Sequence, residues 1–228
     1  MASERSTPFT YSESTLTLSP KLTPQVFFEH LRKLPKNERM SFIRLCVQER
    51  NPEGFAKQPL LWEAVREWIS VRHELSPRQI GLAGSAQLGF STSPSKKWSR
   101  FDPNNSDLDI FIVNKELFEK VANEARVFVA TSLASNAYIP QAQTTQSTLR
   151  RGYINLKQIP AAWDKYRHCA TLLNDASIVI AKLQLHDFHL RPSDFRIYDD
   201  WHSLAKWSAI QSDSWLKAYL LPSRFLNP

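Results

Sequence analysis

Two aspartates two positions apart are the residues of this sequence whose types and spacing most directly suggest chemistry. Asp107 and Asp109 alternate with the apolar Leu108 and Ile110, which is the period of a β-strand, so both carboxylates are expected to leave the same face. Neighbouring carboxylates repel each other, and a divalent cation relieves that repulsion. Because Mg²⁺ is commonly held by one or two carboxylates together with substrate phosphates, the pair is predicted to bind Mg²⁺ (or Mn²⁺) and a nucleoside triphosphate.

A Gly-Ser step upstream is the second candidate feature. Gly84 and Ser85 follow the apolar run 79–83, which is typical of a strand ending in a turn. Backbone N–H groups and a serine hydroxyl at such a turn can bind phosphate oxygens. Ser85 also suits a helix N-cap, and the alternative for Asp107 and Asp109 is a solvated strand start. Together, the two motifs predict a bound triphosphate whose α-phosphorus is attacked by a hydroxyl.

The order of these motifs resembles the DNA polymerase β-like nucleotidyltransferase superfamily. The matching residues are Ile80–Ser85 and then Asp107-Leu108-Asp109, 22 positions after Ser85. This long spacer is similar to that of the oligoadenylate-synthase and bacterial antiviral signal-synthase branches. The resemblance implies an α/β (α+β) fold with a small mixed sheet flanked by helices. It also implies metal-dependent transfer of NMP or dNMP from a nucleoside triphosphate to a hydroxyl with release of pyrophosphate. The product implied is a nucleotide or oligonucleotide signal in bacterial anti-phage defence. An effector protein encoded nearby is the implied partner.

The resemblance further implies a third carboxylate on a later strand. Asp194 is the first candidate, in an alternating segment in which Arg196 shares its face. If Arg196 holds the acidic position instead, the third ligand is missing, and Asp199 and Asp200 remain as alternatives. Lys182 is a candidate for the γ-phosphate, as lysines are in related synthases, although a solvated surface lysine is the simpler interpretation.

Hydrophobic periodicity divides the 228 residues into three segments. We predict a flexible N-terminal arm over 1–22, a helical N-terminal portion over 23–76, and a nucleotidyltransferase-like core with a C-terminal helix over 77–228. Helices are expected over 24–34, 37–50, 59–74, 116–133, 163–185 (with a break near Asn174) and 201–221. Strands are expected over 79–83, 107–113, 152–156 and 194–199, and the remainder of 136–160 is ambiguous.

Composition and charge narrow the class of protein. The chain is 42% apolar and 22% charged, as in ordinary globular proteins. It contains no membrane-spanning run, no secretory leader pattern, and two cysteines without paired spacing, so we expect a cytoplasmic protein.

A net charge of +7 favours polyanionic partners, here a nucleoside triphosphate and an oligonucleotide or protein acceptor. Three alternatives stay open. They are a toxin-type enzyme that nucleotidylates tRNA or protein, a catalytically inactive pseudo-enzyme that binds nucleotide, and a basic nucleic-acid-binding protein without phosphoryl chemistry. The basic residues of the spacer, Lys96, Lys97 and Arg100, either belong to a solvated loop or contact the triphosphate.

Overall fold

The structure, a computed structural model, describes residues 22–96 and 98–220, and within them it leaves out the side chains of 36, 37 and 192–194. Over these residues the chain folds into a four-stranded mixed β-sheet and eight α-helices. The predicted α+β class with a small sheet is therefore confirmed. Of the predicted N-terminal arm, only Leu22 is described, and it is buried.

The sheet is built from all four predicted segments. They are β1 (Ile80–Ala83), β2 (Asp107–Val113), β3 (Tyr153–Asn155) and β4 (Arg191–Tyr198), in the spatial order β1-β2-β4-β3. Strand β2 is antiparallel to β1 and parallel to β4, and β3 is antiparallel to β4. Strand β2 therefore lies between the strand that leads into the Gly-Ser step and the strand that contains Asp194.

The helices follow the predicted segments, with two additions over Gly84–Leu88 and Ile139–Leu149. They are α1 (Pro24–Lys33), α2 (Lys36–Arg44), α3 (Pro59–His73), α4 (Gly84–Leu88), α5 (Lys115–Ala134), α6 (Ile139–Leu149), α7 (Arg167–Gln184) and α8 (Trp201–Leu220). Thr23 caps α1 by accepting a hydrogen bond from the Val26 N–H, as Ser and Thr do at helix starts. A π-helical turn, Leu45–Glu49, continues α2. Helix α6 occupies the ambiguous segment, and α7 is continuous, so the break expected near Asn174 is wrong.

The sheet separates two apolar clusters. Even-numbered residues of β2, such as Leu108 and Ile110, pack with α3, α5 and α7 in one cluster. Phe111 and Val113 pack with α1, the π-helical turn and α8 in the other. Because alternate residues of a strand share a face, Asp107 and Asp109 belong to the face covered by α1 and α8. None of the described helices is both long and apolar enough to span a lipid bilayer.

Candidate functional site

The carboxylate of Asp109 lies directly against the backbone of Gly84. Ala83 is the antiparallel partner of Asp109 in the ladder between β1 and β2, so the chain bends at Gly84 immediately beside that carboxylate. An ideal Cβ atom built on Gly84 would lie 2.6 Å from Asp109 Oδ2. Gly84 also has a φ of +64°, a conformation that side-chain-bearing residues rarely adopt. Both features require glycine at this bend.

Arg196 forms an ion pair with Asp109. Its Nη2 atom lies 3.5 Å from Asp109 Oδ1, and the side chains are 28% and 25% exposed. Arg196 is the parallel-ladder partner of Phe111 in β2, two residues beyond Asp109, so the strand pairing itself brings the guanidinium close. At this length and exposure the ion pair is weak.

Asp107 is engaged by two other basic groups. Its carboxylate lies 2.9 Å from Arg191 Nε and 3.1 Å from Lys96 Nζ, and its side chain is 40% exposed. Lys96 comes from the spacer between the two motifs, in a short 3-10 helix, and Lys97 lies outside the described residues. One of the three predicted spacer cations therefore contacts a site carboxylate.

The backbone of Asp194 is the parallel partner of Asp109 in β4. The pairing of β2 with β4 shifts between Asp107 and Asp109, because Asp107 is opposite Arg191 and Asp109 is opposite Asp194. Between these two pairs β4 has one residue more than β2, and the pairing therefore places the backbone of residue 194 opposite Asp109. The Asp194 side chain lies outside the described part of the structure, so its role as third ligand stays a prediction.

A cavity of about 320 Å³ opens beside Asp109 and Gly84, a volume in the range of small-molecule sites. From Asp109 and Gly84 it extends along the sheet face that α8 covers, towards α6 and α8. Among the described residues that line it, Asp109 and Arg196 are the two with a formal charge. The cavity therefore has a charged end at β2 and β4, beside Gly84, and uncharged lining residues beyond it, of which Asn155 lies next to the charged end because it pairs with Arg196 in the sheet.

The uncharged part combines aromatic, hydroxyl and amide side chains. Its principal members are Tyr153, Asn155, Tyr198, Trp207, Gln211 and Trp215. Burial raises the pKa of Tyr198, and the charge and hydrogen bond of Arg196 oppose that rise only in part. Burial raises the pKa of Tyr153 in the same way. Both phenols are therefore neutral at physiological pH and act as hydrogen-bonding groups rather than as charges.

The other two predicted nucleotide-binding residues, Ser85 and Lys182, are not part of the cavity lining. Ser85 is partly buried in the first turn of α4, next to Gly84. Lys182 is exposed on α7, and α7 packs against the opposite face of the sheet. The structure therefore brings Gly84 and Asp109 together, sets Ser85 beside them, and leaves Lys182 remote from them.

Several cavity residues were missed in the sequence. Asn155 and Gln211 were not among the predicted site residues. One signal was available on α8, where Leu204, Ser208, Gln211 and Trp215 fall on a single helical face. The polar Ser208 and Gln211 interrupt an otherwise apolar stripe, which is the pattern of a helix that lines a polar cavity.

Carboxylate oxygens are the ligand type that Mg²⁺ and Mn²⁺ prefer, so the donors of Asp107 and Asp109 fit such an ion. Asp109 lines the cavity, so its carboxylate borders the space in which such an ion would bind. Among the side chains that the structure describes, no group of three or more His, Cys, Asp or Glu is arranged to hold a metal. Asp194, the third member of the predicted trio, has its side chain outside the described part of the structure, so the trio stays a prediction.

Comparisons of this chain with models of protein families, with curated proteins and with solved structures found no match. The basis on which a function is proposed is therefore the cavity with Asp109 in its lining, together with Asp107, which lies two residues away on β2 and outside the lining.

Proposed function

We propose that this chain is a metal-dependent nucleotidyltransferase that transfers a nucleotidyl group from a nucleoside triphosphate to a hydroxyl. One observation carries the proposal. The carboxylate of Asp109 lies against the glycine bend at Gly84, and both residues line one end of a cavity of small-molecule size. The order of the two motifs in the sequence suggests this juxtaposition, and the pairing of Ala83 with Asp109 is consistent with it.

Asp107 and Asp109 are the proposed ligands of Mg²⁺ or Mn²⁺, and Asp194 is the proposed third ligand because its backbone is level with Asp109. When bound, such an ion neutralises phosphate charge and polarises the reacting phosphoryl group. Lys96 and Arg191 add positive charge beside Asp107. We propose that these two side chains attract the β- and γ-phosphates, which leave together as pyrophosphate.

The bend at Gly84 has a separate role in the proposal. With no Cβ atom, Gly84 lets phosphate oxygens approach the backbone N–H groups closely, and the adjacent Ser85 offers a hydroxyl. Together they would hold the triphosphate while the acceptor hydroxyl attacks the α-phosphorus. A new oxygen–phosphorus bond then forms, the bond to the β-phosphate oxygen breaks, and the hydroxyl proton passes to a carboxylate, for which we propose Asp194.

The acceptor and the biological role follow from the sequence resemblance rather than from the cavity. We propose that the product is a nucleotide or oligonucleotide signal of bacterial anti-phage defence that acts on an effector protein. Transfer to tRNA or to a protein hydroxyl uses the same chemistry, and product analysis distinguishes these acceptors.

A nucleotide-binding protein without transferase activity is the second candidate. It is favoured by the ion pairs of the site, because Asp107 contacts two basic side chains and Asp109 contacts a third. In such a protein these pairs would persist, and the carboxylates would orient the basic groups towards phosphate instead of holding a metal. This candidate predicts nucleotide binding that does not depend on a divalent ion.

Incubation with each α-labelled NTP and dNTP, with Mg²⁺ or Mn²⁺, tests the proposal. Free products, tRNA-linked label and protein-linked label are resolved separately, and pyrophosphate is measured. We expect pyrophosphate release that disappears in the double variant Asp107→Asn/Asp109→Asn and persists in Asp164→Asn, which changes an exposed aspartate outside the cavity. Nucleotide binding without pyrophosphate release, in either metal, would favour the second candidate.

A further inference from the structure

We infer that the uncharged part of the cavity binds the nucleobase of the substrate, and that the side-chain amides of Gln211 and Asn155 select the base. This inference rests on the proposed function, since it concerns the ligand of the same site. The charged end of the cavity would then hold the phosphate side of the nucleotide.

The first argument is the distribution of charge. Asp109 and Arg196 carry the formal charges among the described lining residues, and both belong to one end. Lys96 and Arg191 lie near that end too, at Asp107. A phosphate placed in the remainder would contact uncharged lining side chains, with the Arg151 guanidinium over the Trp207 ring, and it would lose solvation without a direct counter-charge in the lining. The cavity therefore suits a ligand that is anionic at one end and neutral at the other, as a nucleotide is.

The second argument is the shape and rigidity of the aromatic wall. Tyr153 packs against Tyr198 with ring centroids 5.4 Å apart and against Trp207 at 5.0 Å. The guanidinium of Arg151 lies over the Trp207 ring, 5.1 Å from its centroid. These contacts fix the rings before any ligand arrives. A rigid wall of neutral aromatic groups favours a flat heterocycle, because flat rings gain the most from stacking on such a surface.

The third argument is the hydrogen-bonding capacity of the two amides. Asn155 Oδ1 accepts a hydrogen bond from the Lys157 N–H at 3.1 Å, which orients the amide and leaves Nδ2 as its donor. Gln211 is partly buried in the lining and makes no hydrogen bond with another described residue. Its amide thus offers both a donor and an acceptor. Paired donors and acceptors are how Asn and Gln distinguish the edges of bases.

Equilibrium binding tests the inference. We would titrate the α,β-methylene analogues of the four NTPs, which cannot transfer a nucleotidyl group, together with the four nucleosides and inorganic tripolyphosphate, each with Mg²⁺. The wild-type protein is expected to prefer one base and to bind its analogue more tightly than tripolyphosphate. Gln211→Leu is expected to weaken the preferred analogue by about 10- to 100-fold and to leave tripolyphosphate unchanged. Gln143→Leu, an exposed change on α6, is the matched control.

Equal affinity of the wild-type protein for all four analogues and for tripolyphosphate would overturn the inference, while nucleotidyl transfer would stand. That comparison needs no variant, so it holds even if Gln211→Leu fails to fold. Base-selective binding that Gln211→Leu abolishes, in a protein that releases no pyrophosphate, would support the base site and contradict the transferase. Absence of binding by every nucleoside and analogue would overturn both.

Discussion

Replacing Gly84 with alanine tests the link between backbone geometry and the site. The new methyl group would lie 2.6 Å from Asp109 Oδ2, well inside van der Waals contact, so the carboxylate must move by roughly half an ångström or more. A left-handed backbone conformation costs an L-residue about 1–2 kcal/mol, and relief of the contact adds to that. We expect a total loss of about 2–3 kcal/mol, which lowers the melting temperature of a chain of this size by roughly 4–12 °C.

We expect the rate of pyrophosphate release to fall by more than the loss of unfolding free energy alone would cause. A displacement of about 1 Å in a positioned group can reduce a rate by about 100-fold, and Asp109 is the carboxylate that moves. The assays are thermal unfolding, affinity for a non-transferable nucleotide with Mg²⁺, and the rate of pyrophosphate release at a temperature where both proteins are folded.

Gly89→Ala is the matched control. Gly89 also has a positive φ, +82°, and its added Cβ would lie 2.6 Å from Glu53 Cγ, in an exposed side chain outside the cavity. It should lose about 1–2 kcal/mol of stability and keep its nucleotide affinity. If Gly84→Ala retains the same affinity and rate as Gly89→Ala, Asp109 does not serve the ligand in the way proposed.

Three further predictions concern ion pairs at and away from the site. Arg196→Ala should tighten the binding of Mn²⁺ alone by about 1.5- to 5-fold, because a partly exposed pair with Asp109 is worth about 0.2–1 kcal/mol; titration by electron paramagnetic resonance measures this. Glu124→Gln should lower the free energy of unfolding at pH 7 by about 1–2 kcal/mol, because the Glu124 carboxylate accepts hydrogen bonds from the first turn of α7; urea denaturation measures it. Asp175→Asn should lower the free energy of unfolding by about 3 kcal/mol, because the fully buried Asp175 carboxylate binds Arg72 through two hydrogen bonds. Urea denaturation measures this loss, and nucleotide affinity should not change.

The pH dependence of the Glu124 prediction has a definite sign. Burial raises the pKa of Glu124. Hydrogen bonds from the Cys169 and His168 N–H groups and from the His168 side chain lower that pKa by more than burial raises it, so the net shift is downward. A lowered pKa contributes stability that is present above the unfolded value, about 4.3, and is lost as the pH falls through the folded value. The difference between wild type and Glu124→Gln should therefore shrink below about pH 4.

Each of these three predictions has a contradicting outcome. Unchanged or weaker Mn²⁺ binding by Arg196→Ala, with Arg196→Lys as the charge-preserving control, would show that the guanidinium does not compete for Asp109. A stability gap for Glu124→Gln that is constant with pH would contradict the capping role. Loss of nucleotide affinity in folded Asp175→Asn would show that the two faces of the sheet are coupled.

The strand containing Asp107 and Asp109 could be predicted from the sequence because alternation is a local signal. Its apolar positions are large and regularly spaced, and the strand was found with the predicted bounds. The approach of Gly84 to Asp109 could be suggested only by the order of the motifs, since it depends on the pairing of Ala83 with Asp109. Pairing register is a long-range property that no local pattern specifies.

Helix α6 and the uncharged part of the cavity escaped prediction for a related reason. The buried residues of α6 are Ala142, Thr145 and Thr148, which are small or polar, so the helix shows no apolar period. Gln211 and Asn155 come from elements far apart in the sequence, and only the folded chain brings both into the lining of one cavity. Their residue types alone do not distinguish these two amides from the other Asn and Gln residues of the chain.

The central claim is that Asp107 and Asp109 together hold a metal-bound nucleotide beside Gly84. Counting bound Mn²⁺ by electron paramagnetic resonance, with a non-transferable triphosphate present, tests it without requiring knowledge of the acceptor. The account predicts nucleotide-dependent Mn²⁺ binding by the wild-type protein and by Asp164→Asn, and its loss in Asp107→Asn/Asp109→Asn with the fold intact. Equal Mn²⁺ binding by the double variant and the wild type would contradict it.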